Sequence, residues 1–230
     1  MNLGLVIPLF NEEALVTEVV ASVHAILAAE NIDHIIVLVN NGSTDGTAAM
    51  VDDLAQAENV IAIHFRENAG YGGGILGGLA WFEQSELPDV IGWGWGDGQI
   101  NAKVLPTLFR ACAAGAPLAK VTRKERRDGL KRQLMTNAYA ATTRAFGIRT
   151  EDVNGCPKLM TRDAFHQLQL QSSDWFLDAE AIIGAERRGW NIASETVPML
   201  QRKAGRSKVN LHTVFEFAWN LTKWRVQSGS

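Results

Sequence analysis

Between Leu3 and Ala114 the chain repeats one pattern four times: an apolar run of strand length, a polar or glycine-rich turn, and a segment with apolar residues at helical spacing. The first run, Leu3 to Leu9, is followed by Asn11-Glu12-Glu13 and then by Val16, Val19, Val20, Val23, Ile26 and Leu27 on one helical face. Asn11 predicts an N-cap for that helix, and the two glutamates suit the positive end of its dipole. The second unit joins a strand from His34 to Val39, a polar turn from Asn40 to Thr47 and a helix from Ala48 to Ala57. The third runs from Val60 to Phe65, through Arg66 to Gly74, into a helix that includes Trp81 and Phe82. The fourth opens at Asp89-Val90-Ile91 and passes through Asp97-Gly98-Gln99 to a helix beyond Asn101. Strands alternating with helices in this way predict an α/β fold whose central sheet is mostly parallel and covered on both faces. Ligands of such sheets sit beyond the carboxyl ends of the strands, where each of these polar turns falls.

The fourth turn, Gly92-Trp93-Gly94-Trp95-Gly96-Asp97-Gly98-Gln99, ends a strand by presenting a carboxylate between glycines. Glycine there lets a bulky group approach the backbone. The bland alternative is a conformational turn, for which Asp and Gly are the ordinary residues. Further on, a strand from Pro117 to Thr122 leads into a basic stretch in which Lys120 to Arg132 holds seven Lys and Arg against Glu125 and Asp128. A solvated surface explains such a run equally well, but its place after a strand's carboxyl end suits a phosphate, which Arg binds with a planar fork. Lys131 to Phe146 reads as helix, Glu151 to Lys158 as irregular, Asp163 to Leu168 and Asp178 to Arg188 as helices, and Trp190 to Val197 as a late strand stopped by Pro198. A last amphipathic helix is predicted from Val209 to Arg225. Without a Pro/Ser-rich linker or an internal repeat, residues 1–230 read as one domain.

Composition sets the outer bounds. A net charge of −3 gives no global reason to expect nucleic-acid binding, so any anion site must be local. The two cysteines, Cys112 and Cys156, lack metal-knuckle spacing and read as small apolar residues in a reducing compartment. The start, Met1-Asn2-Leu3-Gly4, carries no signal-peptide pattern, and no stretch reaches the roughly 18 apolar residues that span a bilayer. A cytoplasmic protein with at most peripheral membrane contact is the expectation.

Val6-Ile7-Pro8-Leu9-Phe10-Asn11-Glu12, Asn40 to Thr47, Asn68-Ala69-Gly70-Tyr71-Gly72, Asp97-Gly98-Gln99, and Arg202 with Gly205-Arg206-Ser207-Lys208 together resemble glycosyltransferase family 2. The likeness covers nearly the whole chain and leans toward the dolichyl-phosphate mannosyltransferase and bactoprenyl-phosphate glucosyltransferase branch. It implies a GT-A fold, a nucleotide-diphosphate sugar donor, Mg²⁺ or Mn²⁺, and inversion at the anomeric carbon. It also implies a polyprenyl phosphate acceptor met at the cytoplasmic membrane face. Pro8, Asn11 and Glu12 then correspond to the wall for base and ribose. Asn40 and Asn41 stand where the family usually has two aspartates, and an amide keeps the hydrogen bonds but not the charge. Asp45 reads as a turn residue.

The family's Asp-x-Asp-x-Gln metal motif is reduced here to Trp95, Asp97 and Gln99. Asp97 and Gln99 are thus the expected metal ligands of a weakened site, and Trp95 either stacks on a base or sugar or, as is favoured, packs in the sheet. Arg123, Arg132 and Thr136 match the positions that hold the lipid phosphate, while Arg202, Ser207 and Lys208 match the loop over the donor diphosphate. Asp97, Arg123, Arg132, Arg202 and Lys208 are therefore the residues expected to carry transfer. Asp178 and Glu180 lie where some members place an acid.

Two other functions compete. A soluble transferase acting on a sugar hydroxyl would need Asp178 or Glu180 as a base. A nucleotide-sugar-binding protein without catalysis would explain why Asn40, Asn41 and Trp95 replace acids. A dinucleotide-binding dehydrogenase is disfavoured, because the glycines at 70 to 74 follow the third strand and lack the dinucleotide spacing.

Overall fold

A computed structural model describes residues 1–85, 87–124 and 148–200. Those residues build one seven-stranded sheet. Strand β1 (Leu3–Leu9) leads to helix α1 (Val16–Ala29), β2 (His34–Asn41) to α2 (Thr47–Leu54), and β3 (Val60–Phe65) to α3 (Gly70–Gln84). After β4 (Val90–Trp93) come a single 3₁₀ turn (Ala102–Val104), α4 (Leu105–Ala113) and β5 (Leu118–Lys124). The remainder is β6 (Lys158–Thr161), α5 (Arg162–Leu168), α6 (Leu177–Arg187) and β7 (Ile192–Pro198).

The sheet order is β3-β2-β1-β4-β6-β5-β7, with β6 antiparallel to both of its neighbours and the other pairs parallel. From β1 the chain steps outward to β3, then crosses back to lay β4 on the other side of β1. That reversal opens a crevice beyond the carboxyl ends of β1 and β4, the usual ligand position in open α/β sheets.

Side-chain alternation along β1 divides the core into two layers. Leu3, Leu5, Ile7 and Leu9 pack with Val16, Val20, Val23 and Leu27 of α1, whereas Val6 points to the opposite layer with Ile75, Leu79 and Phe82 of α3. Helix α3 lies close to the sheet because Gly78 has no side chain: a Cβ there would stand 2.4 Å from Val6 Cγ1.

Two sequence expectations are corrected. Asn11 does not cap α1, which begins at Val16 without a side-chain cap. The backbone at Asn11 is left-handed (φ 55°), and its Oδ1 instead accepts from Thr44 N at 2.8 Å, tying the end of β1 to the turn after β2. The second correction is β6, read as the irregular end of 151–158. This strand has four residues and begins with a fully buried Lys158, so it lacks the apolar run that marks its neighbours. The predicted helices over 131–146 and 209–225 lie outside the described residues.

Candidate active site

The crevice has one wall made of amides. Asn40 Nδ2 donates to His64 Nδ1 at 3.2 Å while its Oδ1 accepts from Ser43 N at 3.1 Å. His64 in turn donates from Nε2 to Asp52 at 3.0 Å, which fixes the tautomer that receives Asn40. Asn41 Nδ2 donates to Gly70 O at 2.8 Å, and its Oδ1 accepts from Ala69 N at 3.0 Å, clamping β2 to the start of α3. A carboxylate could supply the second of these bonds but not the first. Both amides are buried and committed to the fold.

Pro8, Asn11 and Glu12 follow on the rim. Glu12 N donates to Thr47 Oγ1 at 2.9 Å and Asn11 N to Ser43 Oγ at 3.0 Å, so the two turns are laced together. Asp45 is the turn residue expected, accepting from Thr47 N at 3.0 Å and Thr47 Oγ1 at 2.6 Å; despite some desolvation, those bonds hold its carboxyl below the usual range.

The opposite wall is the turn after β4. Asp97 Oδ1 accepts from Gln99 N at 3.1 Å, and Gln99 O accepts from Leu200 N at 2.8 Å, joining this turn to the residues after β7. Trp95 packs inward, its Nε1 donating to Tyr71 Oη at 2.8 Å, and Tyr71 stacks on Trp175 with centroids 4.4 Å apart.

Beneath Trp95 lies a polar network that the sequence motifs do not mark. Asp178, 1% exposed, accepts from Lys158 Nζ at 2.6 Å, from Trp93 Nε1 at 3.2 Å and from Tyr71 Oη at 3.2 Å. Burial and the neighbouring Asp178 charge keep the Tyr71 phenol neutral by pushing its pKa well up. On the far side of Trp95, the Arg123 guanidinium lies 5.0 Å over its ring and is gripped by Asp152, with Nε to Oδ2 at 2.9 Å and Nη2 to Oδ1 at 2.5 Å. Burial opposes ionisation of both partners, yet their mutual bonds hold Asp152 low and Arg123 high.

Lys120, fully buried, donates to Val121 O at 3.0 Å, Thr122 Oγ1 at 3.0 Å and Asp152 O at 3.1 Å. None of those acceptors is charged. Burial, with Lys158 nearby, lowers its pKa to about 8. The network thus sets three cations (Lys120, Arg123, Lys158) against two carboxylates (Asp152, Asp178), an excess of one positive charge. A lysine inside the apolar run Leu118-Ala119-Lys120-Val121 was the available sequence signal, since strand-core lysines need a reason.

The structure therefore brings Trp95 and Arg123 together and sets both walls of the crevice. Arg132, Thr136, Arg202, Ser207 and Lys208 lie outside the described residues. Glu180 is also engaged: it accepts from the backbone N of Gln171 and Ser172, at 3.1 and 2.9 Å, and so anchors the loop before α6.

Divalent-metal chemistry can be tested against the donor set. Asp97 offers one carboxylate, one of whose oxygens serves its own turn, and Gln99 offers an amide; Trp95 turns an indole to Tyr71 where a second acid would be needed. No three His, Cys, Asp or Glu side chains converge among the described residues. These residues do not make a protein-built cation cage.

Comparison with known proteins follows the same direction. The family profile described as "Glycosyl transferase family 2" matches residues 5–168. Polyprenol monophosphomannose synthase of Mycolicibacterium smegmatis is 25% identical over 233 residues, covering 96% of this chain and 86% of that protein. A prophage bactoprenol glucosyl transferase homolog of Escherichia coli is 28% identical over 173 residues, covering 74% of this chain and 55% of its own length. Among solved structures, glucosyl-3-phosphoglycerate synthase from Mycobacterium tuberculosis with phosphoglyceric acid superposes with TM-score 0.71 at 19% identity, covering 96% of this chain and 79% of that one. The same enzyme with Mn²⁺, uridine-diphosphate-glucose and phosphoglyceric acid gives 0.68 at 20% identity, over 96% and 77% of the two chains.

Proposed function

Because the chain belongs to glycosyl transferase family 2, we propose that it transfers a sugar from a nucleotide-diphosphate sugar to a polyprenyl phosphate, with inversion, at the cytoplasmic membrane face. It is a glycosyltransferase with the GT-A fold of the solved structures above; donor, acceptor and membrane face are our reading. One observation carries the choice of acceptor. Asp178 and Glu180, the acids positioned to serve as a base, are spent on a buried ion pair and on two backbone amides. A hydroxyl acceptor must lose a proton during attack, whereas a phosphate monoester is already ionised near neutrality.

In this reading a phosphate oxygen attacks the anomeric carbon in line, the C–O bond to the diphosphate breaks, and nucleoside diphosphate leaves with the bonding pair. No proton has to move. Rate then rests on holding two anions in line and on cationic stabilisation of the leaving group. Pro8, Asn11 and Glu12 line the base and ribose end, with the buried amides of Asn40 and Asn41 fastening the wall behind them, and Asp97 and Gln99 close the crevice at the turn. Arg123 faces phosphate, and by resemblance Arg132, Arg202 and Lys208 join it. In the structure of glucosyl-3-phosphoglycerate synthase, Mn²⁺ is present together with uridine-diphosphate-glucose.

Membrane contact is assigned to residues 209–225, where Leu211, Val214, Phe215 and Trp219 supply apolar area and Lys223 and Arg225 suit anionic lipid. No helix among the described residues is long and apolar enough to cross a membrane. The test is a screen of nucleotide sugars against a polyprenyl phosphate and against free sugars. Nucleoside diphosphate released only with the lipid phosphate supports the reading. Release with a neutral sugar acceptor, abolished by Glu180→Gln, overturns it in favour of a hydroxyl-directed transferase.

A further inference from the structure

Among the described residues, Asp152 is the one acceptor that meets the Arg123 fork. Asp152 takes the Nε and Nη2 side, leaving the Nη1 side with no acceptor among the described residues. The Trp95 ring lies against the guanidinium plane, so its orientation is fixed by an edge contact and a face contact at once. Arg123 keeps 21% of its side-chain surface exposed. Behind it, Lys120 contributes a buried ammonium whose partners are all neutral oxygens and which touches the same Asp152 through its carbonyl. A buried positive charge thus lies next to an oriented guanidinium, which rests on the Trp95 ring that stands where an acidic side chain would have been needed to hold a cation.

We propose that the Trp95–Arg123 unit is a phosphate seat that works without a divalent cation, with Lys120 as its positioning residue. The inference rests on the functional reading above and deepens it. A metal held by carboxylates neutralises a diphosphate by adding charge from solution; here that charge is built into the sheet, between β5 and the turn after β4. Trp95 serves this in two ways, removing a carboxylate that would repel phosphate and giving the guanidinium a surface to lie on. Lys120 touches no ligand in this scheme. It offsets the Asp152 charge that would otherwise cancel Arg123. The phosphate could belong to a donor diphosphate or to an acceptor monophosphate, and the two are separated by the probes used.

The experiment is calorimetric titration of the full chain with UDP, with GDP and with dodecyl phosphate, each in excess EDTA and again in excess Mn²⁺. At least one probe is expected to bind the wild type with dissociation constants that agree within about threefold in the two conditions. A nucleotide that does so assigns the seat to the donor, dodecyl phosphate to the acceptor. Trp95→Asp should weaken that binding in EDTA by about tenfold or more and make it depend on Mn²⁺. Trp95→Phe keeps the ring and should retain the metal-independent binding. Lys120→Met should lose about tenfold with either medium, while Arg123→Lys, which keeps charge but not the fork, should recover only part of what Arg123→Gln loses. Thermal melts confirm that each variant folds; should Lys120→Met unfold, the Trp95 pair decides alone. Wild-type binding that tightens about tenfold or more with Mn²⁺ overturns this proposal and leaves the transferase reading standing. Failure of every probe under both conditions overturns the two together.

Discussion

Replacing Asp178 with Asn keeps its shape and removes the one carboxylate that pairs with Lys158 among the described residues. The Lys158 ammonium is fully buried and has two acceptors, Asp178 Oδ1 at 2.6 Å and Gly155 O at 2.8 Å. Losing the first leaves an uncompensated cation in the core, which costs about 3–5 kcal/mol. Total stability for a domain is about 5–15 kcal/mol, so about a fifth or more of it is at stake. With a urea dependence of about 3 kcal/mol per molar, the unfolding midpoint should fall by about 1–1.7 M. Tryptophan fluorescence suits the measurement, because Trp93 Nε1 donates to the same carboxylate.

The double variant Asp178→Leu with Lys158→Met removes both charges and should recover most of the loss, since well-packed apolar replacements of buried pairs are often neutral or better. If Asp178→Asn lies within about 1 kcal/mol of wild type, or if the two changes simply add, the ion pair is not what holds α6 to β6. The same double variant also tests chemistry. A structural role predicts turnover within about tenfold of wild type once folding is restored, whereas a loss of about 10³ in kcat would make Asp178 a proton acceptor after all.

Three further outcomes follow from local geometry. Asn41→Asp restores the acid common in the family but removes the donor to Gly70 O, and should lower stability by about 1–3 kcal/mol in a urea titration. Gly72→Ala would set a Cβ 2.2 Å from Ser172 O, a backbone atom that cannot swing aside, so overpacking should cost about 1–3 kcal/mol and show as a lowered melting temperature. His24 has its pKa lowered, by burial first and by neighbouring His34 second. The unfolded chain therefore takes up the proton more readily: the stability His24 contributes is complete above the ordinary value of 6.5 and is lost as pH falls below it, through the depressed folded value. Thermal melts from neutral to mildly acidic pH should show a steeper decline for the wild type than for His24→Gln.

What could be read from the sequence was local. Strands β1 to β3 announce themselves because each is an apolar run closed by turn residues, and α1 because its buried residues recur on one face. Where a residue's role depends on a distant partner, the pattern is silent. Asn11 looks like a cap beside Glu12 and Glu13, but its partner Thr44 is 33 residues away. Lys158 looks like the end of a loop because Asp178, which makes it a core residue, comes 20 positions later. Arg123 stands out in the sequence by its match to the family's lipid-phosphate position within a basic run. Its grip by Asp152 and its seat on Trp95 arise only because β6 alone separates β4 from β5 in the sheet.

The three positions where the family resemblance leads one to expect acids share one physical feature. Asn40 donates to His64, Asn41 donates to Gly70 O, and Trp95 donates to Tyr71 Oη. Each bond needs an N–H, which an ionised carboxylate does not have. The substitutions are therefore not scattered losses; each one exchanges a charge facing the crevice for a bond that fastens one of its walls. The exchange also changes what the crevice requires of a ligand. An acid-lined mouth repels a diphosphate until a cation intervenes, whereas this mouth keeps Asp97 at its turn and sets Arg123, backed by Lys120, beside Trp95. Restoring an acid at Trp95 should thus do two opposed things, raising affinity for the cation and lowering affinity for phosphate in its absence. A chain in which Trp95→Asp tightened phosphate binding without metal would show that the positive charge beneath the turn belongs to the fold alone.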